Sequence, residues 1–312
     1  MNILVFGKDG QLGKAFGRQF RRPQFTQANT IYFVGRADCD LANTQQVIDI
    51  LQSFQPQVII NAAAYTSVDK AESESDLAMA INAKAPEVMA RYAARQGVAL
   101  LHFSTDYVFD GTKQGSYTEI DQTNPLSIYG KSKEAGERAI EQAFANSAGQ
   151  YAILRTSWVY GDGTNFIRTI LRLAKERTEM HVINDQYGVP TSAQWLAELG
   201  SYLTMSLVNK KFSSGIYHAV PAGETNWFRL AQLTMQSAID AGAVLKAWPA
   251  SAITPIPASQ YLLPALRPMN SRLATNKLQL ELERLDLVSK LPHWNTPWDQ
   301  QVTAYVQQLL AD

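Results

Sequence analysis

A doubly wound α/β fold around a parallel sheet is predicted by three features of the sequence. Short apolar runs alternate with amphipathic stretches through residues 2–154, the rhythm of strands linked by crossover helices. A glycine turn, Gly7-x-x-Gly10-x-x-Gly13, interrupts the chain directly after the first run. The third run, Val58-Ile59-Ile60, is continuous rather than alternating, as a parallel strand covered on both faces requires.

Residues 2–6 form an apolar strand stopped by Gly7, and residues 12–20 then carry helical spacing. Residues 30–34 are a second strand, ending at Gly35-Arg36. Residues 44–54 repeat apolar side chains at Val47, Ile48, Leu51 and Phe54, one helix face, which Pro56 closes. After the strand at 58–60, residues 76–96 are a long helical pattern ended by Gly97, and residues 98–103 give the next buried strand. A helix over 128–145 and a strand over 151–154 follow. Beyond Gly161 the rhythm loosens. Helices are expected over 166–177 and 193–208, a short strand over 181–183, and a strand returning to the sheet over 215–220. Residues 244–276 hold Pro249, Pro255, Pro257, Pro264 and Pro268, so no regular element is expected there; the segment reads as a binding loop or a surface excursion.

With 312 residues the chain exceeds one typical domain. Its 46% hydrophobic and 18% charged residues describe an ordinary globular protein. Lys plus Arg (28) balances Asp plus Glu (28), so no global field draws nucleic acid or an anionic membrane, and neither is an expected partner. The single cysteine, Cys39, excludes a disulfide framework, fits a reducing compartment and reads as a packing residue. The run before Gly7 is too short for a secretory leader, and no later run approaches the roughly 20 residues of a membrane span. A cytoplasmic location is expected. His102, His181, His218 and His293 are scattered without metal-ligand spacing, so no metal site is indicated.

Gly7, Gly10 and Gly13 let the backbone turn sharply and approach a pyrophosphate, which meets the free N–H groups and positive dipole end of the next helix. The spacing is not that of the best-known dinucleotide fingerprint; the position after the first strand carries the assignment. At the end of the second strand an acid would hold a ribose 2′-OH and an arginine a 2′-phosphate. Gly35-Arg36, with no acid until Asp38, favours NADPH; NADH, with Asp38 on the ribose, is the alternative. Asn61-Ala62-Ala63-Ala64-Tyr65 ends the third strand with three small residues, which leave room for a flat ligand or pack a helix.

Ser104-Thr105-Asp106 ends the strand at 98–103, at the sheet edge where ligands bind in this architecture. Tyr129 and Lys133 are four apart, on one helix face and about 6 Å apart along the axis. An ammonium there is expected to pull the phenol below its usual pKa of about 10, so that it exchanges a proton with a sugar or alcohol oxygen. Serine hydrolase chemistry is disfavoured, since no Gly-x-Ser-x-Gly elbow is present. The expected division is a dinucleotide-binding Rossmann domain over 1–160, joined by later segments near 181–223, and a smaller C-terminal substrate-binding lobe over 161–312.

Together these segments resemble the extended short-chain dehydrogenase/reductase family. The likeness is carried by residues 7–13, 61–72 (NAAAYTSVDKAE), 104–111 (STDYVFDG), 129–133, 154–160 (LRTSWVY), 185–191 (DQYGVPT) and 267–273 (RPMNSRL). It spans nearly the whole chain, and STDYVFDG and DQYGVPT are specific to a subfamily that reduces the 4-keto group of a dTDP-linked 6-deoxyhexose with NADPH. The resemblance implies a catalytic triad of Thr105, Tyr129 and Lys133. It implies cofactor contacts from Gly10, Gln11, Leu12, Asp40, Leu41, Ala62, Ala63, Ala64 and Tyr65, with Tyr129 and Lys133. Ser104, Asp106, Tyr107 and Asn165 would line the substrate with Thr105, Trp158 would pack against the sugar, and Arg267 would reach the diphosphate or nucleotide. A small nucleotide-sugar is the implied partner, and the chain a monomer or homodimer. Some members dimerise through a metal held by glutamates; Ala15, Gln194 and Asp299 stand at the counterpart positions here, which puts a magnesium-bridged dimer in doubt. Two alternatives stay open: a dinucleotide-binding regulatory subunit like that of methionine adenosyltransferase, and another nucleotide-sugar reductase or epimerase.

Overall fold

The computed structural model describes residues 1–26, 29–247 and 252–311. In chain order, β1 (Asn2–Phe6), α1 (Gln11–Gln19), α2 (Pro23–Thr26), β2 (Thr30–Val34), α3 (Thr44–Phe54) and β3 (Val58–Asn61) open the fold. Then come α4 (Val68–Ala71), α5 (Ser75–Met79), a π-helical turn at Ala80–Lys84, α6 (Ala85–Gln96), β4 (Ala99–Thr105), α7 (Ile128–Phe144) and β5 (Gln150–Thr156). The second half holds β6 (Val159–Tyr160), α8 (Phe166–Glu176), β7 (Met180–Ile183), β8 (Tyr187–Gly188), β9 (Thr191–Ser192) and α9 (Ala193–Val208). It ends with β10 (Gly215–His218), β11 (Thr225–Asn226), α10 (Trp227–Asp240), β12 (Ile253–Ile256), α11 (Asn276–Arg284) and α12 (Trp298–Ala311).

Six strands make one parallel sheet in the order β10-β5-β4-β3-β1-β2. Side chains alternate along each strand, so each sheet face has its own core. Ile3, Val5, Ile60 and Leu101 pack with Phe16 of α1 and Leu196 and Leu203 of α9, and Leu278 and Leu282 of α11 join them. Leu4, Phe6, Ile59 and Leu100 face the other way, onto Val47 and Leu51 of α3, Met89 of α6 and Ile140 of α7. Cys39 is a buried member of this second core. A third core joins α8, α10, α12, β7 and β12 through Ile167, Ile170, Leu230, Met235, Val302 and Val306. The strand order reverses direction between β1 and β3, the place at which ligands bind beyond the carboxyl ends in such sheets.

β10 returns to the sheet beside β5, as its sequence predicts. The helix expected over 76–96 is instead α5 and α6 joined through the π-helical turn. That turn brings Asn82 inward, where its amide accepts from Tyr65 N (2.8 Å) and donates to Tyr65 O and Ser132 Oγ (both 3.0 Å). The absence of regular structure expected over 244–276 is corrected by β12, which pairs in parallel with β7. Pro255 is tolerated because β12 has a single neighbour in its two-stranded sheet and needs no donor on its open side. Pro249 lies outside the described residues.

Candidate active site

The glycine turn is built for close approach. Gly7 sits at φ +93°, and a Cβ there would lie 2.8 Å from Ala62 C and Ala63 N; one on Gly13 would lie 2.0 Å from Gly7 O. The turn therefore nests against the Ala62–Ala63 backbone, joining the ends of β1 and β3. Gly10 caps α1 with no side-chain acceptor, so the first N–H groups of Gln11, Leu12 and Gly13 face the edge without a side-chain partner. At the end of β2, Arg36 is exposed and has no ion-pair partner among the described residues. The Asp38 carboxylate accepts from Lys8 Nζ (2.5 Å) and Gly35 N (2.8 Å), and both contacts hold it below the usual carboxylate range. Asp40 is turned into its own loop, accepting from Ala42 N at 3.1 Å, and Leu41 packs beside the second core. Ala64 and Tyr65 continue past Ala63, and the Tyr65 hydroxyl donates to Glu74 at 2.5 Å.

Ser127 starts α7 by accepting from Gly130 N at 3.2 Å, which fixes Tyr129 in the first turn. A Cβ on Gly130 would lie 2.3 Å from Tyr107 O, so this helix end presses on the 3₁₀ turn Asp106–Val108 after β4. Tyr129 thereby lies beside Thr105, whose hydroxyl acts on its phenol, and meets the Tyr107 ring edge-on at 5.5 Å and 76°. The Thr105 hydroxyl donates to Asp106 Oδ1 (3.0 Å) and accepts from Tyr107 N (3.2 Å). Successive strand residues face opposite sides, and the buried Ser104 hydroxyl has no partner among the described residues; Thr105, not Ser104, supplies the hydroxyl beside Tyr129.

Lys133 is 1% exposed. Its Nζ donates to Phe103 O at 2.7 Å and lies 3.3 Å from His102 Nε2. Burial lowers its pKa to about 8, with the Glu137 charge opposing the fall. The expected depression of the Tyr129 phenol by Lys133 is corrected: burial pushes that phenol up to about 12, the Thr105 hydrogen bond opposes the rise, and the Asp106 charge adds to it. The physical reason is that the amine is tied to β4 rather than aimed at the phenol. Burial likewise raises Asp106 to about 6, against hydrogen bonds from Ser271 and Thr105.

The residues expected at the substrate are less concentrated. Trp158, at φ +48°, stacks on Trp227 of α10 at 3.6 Å and 15°, beside an apolar cavity of about 90 Å³ lined also by Tyr160, Phe166, Pro190 and Leu230. Asn165 caps α8 and bonds Gly161 O (2.8 Å) and Tyr305 OH (3.1 Å), with Gln11 at 3.4 Å. Arg267 makes a bidentate pair with Asp69 (3.0 and 2.7 Å), half-buried near Tyr107. Ala15 is buried and Gln194 is bonded to Arg18 and Gln19. Among the described residues no cluster of three His, Cys, Asp or Glu could hold a metal ion.

Sequence reading missed Asp69, Asn82, His102 and the buried pair Arg155–Glu137 (2.6 Å). Their partners are distant in sequence, and only His102, in an apolar strand two residues before Ser104, carries a local signal.

Over residues 1–309 the chain matches the family described as the RmlD substrate binding domain. It is 43% identical over 298 residues to the dTDP-4-dehydrorhamnose reductase of Salmonella typhimurium, covering 94% of each chain. Against that of Burkholderia thailandensis the identity is 39% over 301 residues, covering 94% of this chain and 95% of the other. The crystal structure of dTDP-4-dehydrorhamnose reductase from Bacillus anthracis in complex with NADP matches with a TM-score of 0.83 at 31% identity, over 100% of this chain and 99% of that one.

Proposed function

This chain belongs to the RmlD substrate binding domain family, within the extended short-chain dehydrogenases/reductases, and we propose that it reduces dTDP-4-dehydro-L-rhamnose to dTDP-L-rhamnose with NADPH. The observation that carries this reading is the assembly of the Thr105 hydroxyl, Tyr129 phenol and Lys133 amine at the carboxyl edge of the sheet.

The cofactor cradle fits a dinucleotide. Gly7 and Gly13 leave no room for side chains, α1 begins without a side-chain cap, and Arg36, with no ion-pair partner among the described residues, stands where a 2′-phosphate would need a fork of donors. Asp38 is already neutralised by Lys8, so it repels that phosphate less than a free carboxylate would. Bound NADPH supplies the hydride that reaches the sugar C4. Tyr129 gives its proton to the C4 oxygen; burial, which pushes the phenol up to about 12, keeps that proton in place at neutral pH until the developing alkoxide takes it. Thr105 orients that oxygen through its hydroxyl. Lys133, from below, binds the nicotinamide ribose and stabilises the tyrosinate left behind.

The cofactor lobe comprises residues 1–160 with α9 and β10, and the substrate lobe is built on the third core. Trp158, backed by Trp227, forms an apolar wall for the hexose, and Asp106, Tyr107 and Asn165 frame the site. Arg267 reaches the diphosphate by exchanging Asp69 for it. A single buried cysteine suits a reducing, cytoplasmic setting. NADPH oxidation measured with a panel of nucleotide-linked 4-keto sugars tests the reading. The highest kcat/KM is expected with dTDP-4-dehydro-L-rhamnose; NADPH binding without reduction of any sugar would favour a regulatory binding module.

A further inference from the structure

Behind the reacting groups, three fully buried side chains form a chain with one consistent hydrogen pattern. Asn61 Oδ1 accepts from Ala63 N at 3.2 Å. That backbone donor fixes the amide, so Asn61 Nδ2, at 3.0 Å, donates to His102 Nδ1. A neutral imidazole accepting at Nδ1 carries its proton on Nε2. Nε2–H then points at Lys133 Nζ, 3.3 Å away, while Nζ itself donates to Phe103 O. An ammonium has no acceptor to offer that N–H; a neutral amine has one.

We propose that His102 and Asn61 are positioning residues that favour the neutral amine of Lys133 over the ammonium and tie its protonation to the Ala63 turn. To charge Lys133, His102 must accept at Nε2 and carry its proton on Nδ1. Asn61 must then present Oδ1 to that proton, which breaks its bond to Ala63 N–H. Ala63 is the residue against which the glycine turn packs, so the amine's charge and the shape of the cofactor edge are linked. The other charged group acting on the amine is Glu137 from its own helix, paired with Arg155 of β5. Glu137 favours the ammonium; the imidazole N–H and the burial oppose it.

The kinetic part rests on Lys133 serving the proposed reductase, whereas the tautomer does not. Two-bond ¹H–¹⁵N correlation spectra of ¹⁵N-histidine-labelled protein, with His102 assigned by its absence in His102→Gln, read the tautomer directly without substrate. The Nε2–H form is expected at about pH 9, above the Lys133 pKa of about 8, giving way to Nδ1–H as the pH falls below it; the Nδ1–H form at about pH 9 would overturn the proposal whatever the enzyme reduces. Asn61→Asp offers only acceptor oxygens to His102, which forces the proton to Nδ1. His102→Gln can turn its amide oxygen to the amine. Both variants should move the alkaline limb of the kcat–pH profile, expected near 8 in the wild type, upward by at least about one pH unit. A limb that stays in place in both variants, with only thermal stability changed, reduces these residues to packing and overturns the proposal.

Discussion

Tyr129→Phe removes one oxygen and little else. The ring keeps its edge contact with Tyr107, and the Thr105 hydroxyl keeps Asp106 and Tyr107 N as partners. Loss of one neutral hydrogen bond costs about 1 kcal/mol of stability. Loss of the proton donor costs much more in the barrier: general acid catalysis contributes about 10²–10⁴-fold, or roughly 3–5 kcal/mol. The variant should therefore melt within a few degrees of the wild type and bind NADPH with a Kd within about threefold, yet turn over at least about 100-fold more slowly. Stopped-flow NADPH oxidation at saturating cofactor, paired with fluorescence titration of NADPH, separates these effects. Turnover within about tenfold of wild type would refute the assignment of Tyr129 as the acid. A fall in turnover matched by a fall in cofactor affinity would make it a binding residue.

Arg36→Asp should lower kcat/KM for NADPH relative to NADH by roughly 10–100-fold, the worth of one charge-assisted contact, and an unchanged ratio would leave Arg36 a solvated charge. Glu137→Gln leaves Arg155 charged and uncompensated in a site where both side chains are at most 3% exposed. Urea unfolding should show a loss of about 3–5 kcal/mol, and a loss below about 1 kcal/mol would contradict the burial argument. Lys133→Met should abolish most turnover while improving stability at neutral pH. The fall of the lysine from 10.5 to about 8 corresponds to roughly 3 kcal/mol of burial cost, offset by about 1–3 kcal/mol for the orphaned Phe103 carbonyl. Between pH 8 and 10.5 the folded protein holds fewer protons on Lys133 than the unfolded chain, so the cost is full below that window and disappears as pH rises through it. The stability advantage of the variant should shrink accordingly, and an advantage independent of pH would contradict the assignment.

Elements bounded by strong local punctuation were legible in the sequence. Gly7, Gly35 and Pro56 mark the ends of β1, β2 and α3 to within two residues. α10 was also readable, since Leu230, Ala231, Thr234, Met235 and Ala238 repeat on one face behind the Asn226 cap, yet the loosened rhythm after Gly161 concealed it. α11 buries Leu278 and Leu282 alone among its apolar side chains, a stripe too thin to stand out. The π-helical turn cannot be seen in a periodic pattern, because its cause is Asn82 reaching Tyr65 and Ser132. The Tyr129–Lys133 spacing is local and survives. What the amine bonds to is set by β4 packing beneath α7, and what Arg267 bonds to lies 198 residues away.

Isotope tracing from the cofactor to the product discriminates most sharply between a reductase and a binding module. The protein would be incubated with dTDP-4-dehydro-L-rhamnose and NADPH carrying deuterium at both C4 positions of the nicotinamide, and the product examined by NMR and mass spectrometry. One deuterium at C4 of dTDP-L-rhamnose, with one NADPH consumed per product, is the predicted result. Native protein that binds NADPH but yields no labelled product, or places the label at any other carbon, would contradict it.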